Sequence, residues 1–297
     1  KSADTAMYHA KDNGRNTYQF FEPDMNVLVV ERHSIEGGLR RALQEQEFVV
    51  YYQPKINLET ATISGVEALV RWQHPQRGLV LPEQFIWIAE DCGLIVPIGA
   101  WVLRTACQHA KSWQDAGLPP VPVAVNISAV QFRHKDFLEM VSDILKDTGL
   151  APGYLELELT ENVLMHDTNA TVSVLEALKA MGVRLAIDDF GTGYSSLSYL
   201  KRFPIDTLKL DQSFLRDITH ASADSDDAAI VAAVVCMGKN LNQCVIAEGV
   251  ETREQLAFLR AQGCGEGQGF YFSHPVTADE VLELLRTGIA PTLVKPG

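Results

Sequence analysis

From residue 34 onward the chain alternates short apolar or β-branched runs with longer amphipathic stretches, and this alternation limits the fold more than any other feature. Eight runs read as strands, near 48–53, 65–71, 121–127, 154–160, 184–189, 207–210, 244–248 and 267–272. Helical spacing fills most of the gaps, at 82–92, 97–116, 136–148, 168–181, 227–241 and 253–262. Such a series of strands and crossover helices builds a parallel sheet. The first connection differs: 57–64 is shorter than the dozen or so residues a parallel crossover takes, so strands one and two form an antiparallel hairpin. The expected fold is α/β, a TIM-like (β/α)8 barrel with the first strand antiparallel. No repeat of fixed period and no low-complexity linker divides the chain, so a single barrel is expected over 34–287, with a tail at 288–297.

The first residues read differently. Ala3, Ala6, Met7 and Ala10 form a helical stripe, Gly14 suits a helix stop, and 17–21 reads as a strand. One helix and one strand enclose no core, so residues 1–22 must pack on something else, with 23–33 as a linker.

Charge narrows the function. Thirty-eight acidic against 25 basic residues give −13, which argues against broad binding to nucleic-acid polymers or anionic membranes. A phosphate-bearing ligand therefore needs local neutralisation by a metal or a few placed cations. The five cysteines, Cys92, Cys107, Cys236, Cys244 and Cys264, are scattered and form no C-x-x-C pair, as expected of a protein from a reducing cytoplasm. The longest apolar stretch, 228–238, is about half of the roughly 20 residues a membrane helix needs. A soluble fragment is expected, with membrane segments still open upstream in a longer parent.

Polar residues recur inside or just beyond the strand ends: Glu67, Asn126, Glu158, Glu161, Asp188, Asp189, Lys209, Glu248 and Gln268. A lone strand glutamate is usually solvated or salt-bridged, and Asp188-Asp189 alone fits a helix N-cap as well as a metal site. Agreement across strands is what makes a site, because a barrel gathers its strand C-termini at one mouth. Carboxylates crowded there repel and take up protons unless a cation neutralises them. Oxygen ligands with one Asn amide suit magnesium or manganese over zinc. Adjacent aspartates suit two metals about 3.5–4 Å apart, of the kind that activates water against a phosphoryl centre. Lys209, with apolar neighbours, points into the mouth to orient or deprotonate water or to balance charge, and Arg71 is placed to grip phosphate. Phe190-Gly191-Thr192-Gly193-Tyr194-Ser195-Ser196 is a small-residue loop that Glu161 could brace, and it lacks the third glycine of a dinucleotide fingerprint. Asp224 to Asp227 lacks the glycine and final glutamate of a calcium loop and reads as helix capping. The histidines form no metal-binding pair, and Trp72, Trp87, Trp101 and Trp113 suit packing.

These residues fall into motifs that resemble the EAL family of cyclic di-GMP phosphodiesterases. Tyr52-Gln53-Pro54, Glu67-Ala68-Leu69-Val70-Arg71-Trp72, Asn126-Ile127-Ser128 and Glu158-Leu159-Thr160-Glu161 follow the family's order. So do Asp188-Asp189-Phe190-Gly191-Thr192-Gly193, Lys209-Leu210-Asp211, Ala247-Glu248-Gly249-Val250-Glu251 and Gln268-Gly269-Phe270. The resemblance implies that Glu67, Asn126, Glu158, Asp188 and Asp189 hold two Mg²⁺ or Mn²⁺ ions, with Glu248 joining directly or through water. It implies that Lys209 positions the attacking water and that Gln268 tethers a water or ligand near the metals. Gln53, Leu69, Arg71 and Asp211 would contact cyclic di-GMP, and Glu161 would anchor a mobile loop near a homodimer interface. Glu67, Lys209, Asp189 and Glu248 are the catalytic candidates. The implied reaction is hydrolysis of one phosphodiester, opening the ring to linear 5′-pGpG. His274 stands where the family often has arginine, outside the catalytic motifs. Residues 1–22 resemble the end of a GGDEF diguanylate cyclase domain, whose own signature motif is absent. Two other readings are a cyclic di-GMP receptor without turnover and an enolase-like Mg²⁺ barrel whose lysine abstracts a carbon-bound proton.

Overall fold

The computed structural model describes residues 23–165, 168–192, 202–218 and 226–289, so the helix and strand expected within 1–22 and the loop residues from Gly193 to Ser196 lie outside the described residues. Its contacts divide the chain into two compact units, one of Lys1–Val49 with Arg71–Ile98 and one of Val50–Val70 with Gly99–Gly297.

The larger unit holds most of the barrel strands: β1 (Phe48–Asn57) from Val50, β2 (Ile63–His74) up to Val70, β4 (Val123–Asn126), β5 (Leu155–Thr160), β6 (Arg184–Phe190), β7 (Thr207–Leu210), β8 (Cys244–Ala247) and β9 (Glu266–Gly267); β3 (Gly78–Val80) belongs to the smaller unit. Neighbours run β1-β9-β8-β7-β6-β5-β4-β2, and a β1–β2 pairing closes the ring. β1 is antiparallel to β9, while the pairs from β2 through β4 to β9 are parallel. The reversal follows from the short turn after β1, where Asn57 Oδ1 accepts hydrogen bonds from Glu59 N (3.1 Å) and Thr60 N (2.9 Å). That turn admits no crossover helix, so β1 has to run opposite to β2.

Strand alternation sets the two faces of the barrel wall. Leu155, Leu157 and Leu159 are buried on the outer face of β5, and Leu208 and Leu210 likewise on β7, under crossover helices such as Thr168–Met181 and Asp226–Asn240. The residues between them, Glu156, Glu158, Thr207 and Lys209, are also buried but bond to one another. On β5 and β7 the outward positions are thus apolar and the inward ones polar.

Several elements depart from the sequence reading. The stretch 23–33, expected as a linker, lies in a 22-residue helix, Pro23–Gln44, which proline can open because the first turn has no use for its missing N–H. The last strand, expected at 267–272, stops at Gly267. Beyond it the backbone turns onto Val250, whose N–H bonds Gln268 O and whose carbonyl accepts from Tyr271 N. A Cβ on Gly269 would overlap the Val250 backbone, so this close approach requires glycine. The helix expected at 82–92 is a 3₁₀ turn, Pro82–Gln84, then a helix, Ile86–Asp91, broken at the buried Phe85. Three short helices were not anticipated: Ala129–Phe132, Glu161–Met165 and Ala278–Thr287. Asp226 and Asp227 occupy the first turn of Asp226–Asn240, where acidic side chains favour a helix N-terminus.

In the smaller unit the end of β2 pairs antiparallel with β3, Trp72 facing Val80. Gly38 admits the Trp72 indole, which would lie 2.6 Å from any Cβ there, and Trp72 Nε1 donates to Glu47 Oε2 at 2.9 Å. Trp87, expected to pack, is 47% exposed with the Arg32 guanidinium 5.3 Å above its ring. No helix among the described residues is long and apolar enough to cross a membrane.

Candidate active site

Lys209 is the centre of the barrel mouth. It is 1% exposed, and its Nζ lies 2.6 Å from Glu158 Oε2, 2.7 Å from Glu248 Oε1, 3.1 Å from Asp188 Oδ1 and 3.4 Å from Glu67 Oε2. The four acids come from β2, β5, β6 and the residue after β8, so the topology itself gathers them. Register contributes as well: Asn126 pairs with Glu158, and Ile187 with Leu208, which sets Asp188 beside Lys209.

Amides complete the ring around Glu67. Asn126 Nδ2 donates to Glu67 Oε1 at 2.6 Å and Gln268 Nε2 to Glu67 Oε2 at 2.7 Å. Gln268 Nε2 also reaches Gln53 Oε1 at 3.1 Å, and Gln53 Nε2 donates to Ser273 O at 3.3 Å. The buried Gln268 Oε1 has no partner among the described residues, leaving an acceptor free at the mouth.

Two consecutive strand residues normally face opposite sides, yet Asp188, Asp189 and Glu248 present carboxylate oxygens within 4.8 Å of one another. A register irregularity between Ile187 and Phe190, together with φ +53° at Asp189, turns the second aspartate back to the first one's side. Aspartate tolerates this left-handed backbone better than most residues. Asp188 Oδ1 accepts from Asp189 N at 3.0 Å, and Thr192 Oγ1 donates to Asp189 O at 2.8 Å.

The charge balance is negative. Burial pushes the Glu67, Asp188 and Asp189 carboxyls above their ordinary range, with neighbouring acids adding to it. Glu248 is pushed up to about 8, by burial first and then by Asp188 and Glu67, against the pull of Lys209. Glu158 goes the other way, to about 2, because Lys209 and Lys55 together outweigh its burial. Burial alone would lower Lys209, but the four acids hold it well above its ordinary value. With its ordinary value raised by these acids, Lys209 favours the protonated form here, which supports the orienting and charge-balancing roles read from the sequence over the base role. The same shift disfavours an enolase-like reading, which needs a neutral lysine.

The remaining candidates are more scattered. Leu69 lies further along β2 and is partly buried, and Arg71 follows on the same strand within the smaller unit. Asp211 caps the short turn Gln212–Phe214 through Ser213 N and raises the Asp189 carboxyl by its charge. Glu161 opens the helix Glu161–Met165; it is 4% exposed, and neither carboxylate oxygen has a partner among the described residues.

Sequence reasoning missed a second set below the mouth. Lys55 Nζ meets Glu156 Oε1 at 2.6 Å and Glu158 Oε1 at 2.7 Å, and Thr207 Oγ1 donates to Glu156 Oε2 at 3.0 Å. Strand alternation held the signal: Gln53 and Lys55, Glu156 and Glu158, Thr207 and Lys209 are each two residues apart on a buried strand.

Comparison with known proteins matches residues 36–275 to the EAL domain model. The bifunctional diguanylate cyclase/cyclic di-GMP phosphodiesterase MucR of Pseudomonas aeruginosa is 49% identical over 281 residues, 95% of this chain and 41% of the relative. The cyclic di-GMP phosphodiesterase PdeR of Escherichia coli is 43% identical over 278 residues, 94% of this chain and 41% of that protein. The chain thus spans about two-fifths of the length of these curated relatives. Among solved structures, the PaMucR phosphodiesterase in complex with c-di-GMP superposes with a TM-score of 0.80 at 47% identity, covering 84% of this chain and 99% of that one. The EAL domain of Mycobacterium smegmatis DcpA gives 0.70 at 37% identity, covering 82% and 100%.

Proposed function

The chain belongs to the EAL domain family, and from that premise we propose that it hydrolyses cyclic di-GMP to linear 5′-pGpG. The observation that carries the proposal is the convergence of Glu67, Glu158, Asp188 and Glu248 on one buried ammonium at the barrel mouth. Relatives named as cyclic di-GMP phosphodiesterases, and a similar structure in complex with c-di-GMP, support the choice of substrate.

The donor set fits hard divalent cations: it is all oxygen, short of positive charge, and three of its carboxylates already lie within 4.8 Å of one another. On our reading Glu67, Asn126, Glu158, Asp188, Asp189 and Glu248 hold two Mg²⁺ or Mn²⁺ ions. Bound there, such ions supply neutralisation of phosphoryl oxygens and a lowered pKa for water. The chain's own groups do the rest. Lys209 holds its proton and offers N–H donors to the attacking water or to charge developing on the phosphate. Gln53 and Gln268 orient the ligand through their amides, Leu69 contacts it, and Asp211 receives a polar group of it. Water adds to one phosphorus as the bond to the 3′ oxygen breaks, giving a 5′-phosphate and a free 3′-hydroxyl.

The same resemblance extends the proposal to the surroundings. Residues 1–22 are the end of a GGDEF domain, in keeping with a bifunctional relative that aligns over 95% of the chain. Glu161 braces the loop that opens at Phe190-Gly191-Thr192, the protein acts as a homodimer, and the site faces the cytoplasm. Chromatography of cyclic di-GMP incubated with the chain and Mn²⁺, beside Glu67→Ala and an EDTA control, tests the central claim. Metal-dependent pGpG is the expected result. Bound but intact ligand would make this a receptor.

A further inference from the structure

Below the mouth, the hydrolysis reading leaves a buried lysine without a task. Lys55 is 3% exposed, and among the described residues its ammonium pairs with Glu156 and Glu158 alone. Glu158 is 1% exposed and has its two oxygens assigned to different lysines: Oε2 to Lys209 at the mouth, Oε1 to Lys55 beneath. The two holds differ in kind. Lys209 is shared by four acids and can redistribute its bonds when a cation takes some of them. Lys55 has no such alternatives, and its second partner, Glu156, is itself tied to Thr207.

We propose that Lys55 is a positioning residue: by pinning Glu158 Oε1 from below, it leaves that carboxylate one oxygen, in one orientation, to present to a divalent cation at the mouth. The proposal rests on the metal-dependent reading above. A partner that fixes a ligand from behind commonly matters about 10- to 100-fold in metal affinity. Stability alone is a poor reason for the arrangement, because a buried ion pair is often no more stabilising than apolar residues of the same volume.

The alternative is that Lys55 only neutralises Glu156, and the two roles separate in a double variant. Lys55→Met/Glu156→Gln removes one positive and one negative charge, so the interior balance is kept while Glu158 Oε1 loses its hold. Mn²⁺ titrations followed by calorimetry and by the Mn²⁺ spin-resonance signal, with melting curves, are run on the wild type, the double variant and Glu156→Gln. The expected result is a double variant that melts near the wild type but binds Mn²⁺ about 10- to 100-fold more weakly, with a broadened bound-metal signal. Glu156→Gln, which leaves Lys55 to Glu158, should bind Mn²⁺ as the wild type does. Wild-type affinity in the double variant overturns the proposal. If the double variant fails to fold, a loss of Mn²⁺ affinity in Glu156→Gln as large as about tenfold overturns it instead, and retained affinity supports it. A wild type that binds no Mn²⁺ defeats the metal reading itself, a separate result.

Discussion

The mouth and the floor of the barrel are built from the same strands, often from residues two apart, yet they are charged by opposite rules. At the mouth one ammonium faces four carboxylates, and Glu67, Asp188 and Glu248 are all pushed toward protonation. At the floor Lys55 meets two acids, and Glu158, which both lysines share, is held ionised to about 2. The mouth crowds four acids on one ammonium, whereas at the floor Lys55 binds Glu156 and Glu158 directly, with Glu266 nearby and raised by burial. A folded chain that keeps the mouth's deficit in a buried place is one that expects a cation there.

The largest effects should come from the two lysines, and they should differ in type. Lys209→Met removes the fixed donor from the mouth, and kcat/KM for pGpG formation is expected to fall about 10²- to 10³-fold. A fall under about tenfold would reduce Lys209 to a charge balancer. Lys55→Met leaves Glu156 and part of Glu158 unpaired in the interior, and urea unfolding should show a loss of about 3–5 kcal/mol. If Lys55→Met were instead neutral in stability, the floor would not be held together by the ion pairs the distances describe.

Most of the mouth was legible in the sequence because each strand carries its polar residue inside an apolar run, as in Leu157-Glu158-Leu159 and Leu208-Lys209-Leu210. The reversed first strand was legible from the length of one turn. Lys55 was not, because a lysine near a strand end reads as solvated unless its partners are known, and Glu156 and Glu158 are 101 and 103 residues away. The end of the last strand at Gly267 depends on Val250, contributed by another connection, and no local pattern announces that. The adjacent aspartates were visible, but the backbone twist that brings both to one side was not.

The pH dependence of metal-free protein sharpens the comparison at smaller amplitude. Glu248 is raised in the folded state, so its contribution is fully present below about 4.5 and is lost as pH rises through about 8. Glu158 has the opposite sign: its contribution is present above about 4.5 and lost as pH falls toward about 2. Melting temperatures in EDTA should therefore decline from pH 5 toward pH 8.5, and Mn²⁺ should flatten that decline by giving the mouth its missing charge. Glu248→Gln should remove much of the decline without metal. An unchanged slope in that variant would move the excess charge elsewhere in the mouth.

Asp189 offers the smallest effect on stability and a sharp division between folding and function. A left-handed backbone costs an ordinary L-residue about 1–2 kcal/mol, less for aspartate, and glycine is free of that cost. Glycine also leaves the unfolded chain freer, which takes back about 0.5–1 kcal/mol. Asp189→Gly should therefore change stability by less than about 1 kcal/mol, in the stabilising direction when metal is absent because it also deletes one of the crowded acids. Turnover should fall by at least about 10²-fold if Asp189 serves the reaction. A variant that is no less stable and nearly inactive would show that the twist at the mouth is kept for the carboxylate it presents. A clearly destabilised variant would place Asp189 with the floor, as a residue retained for the fold.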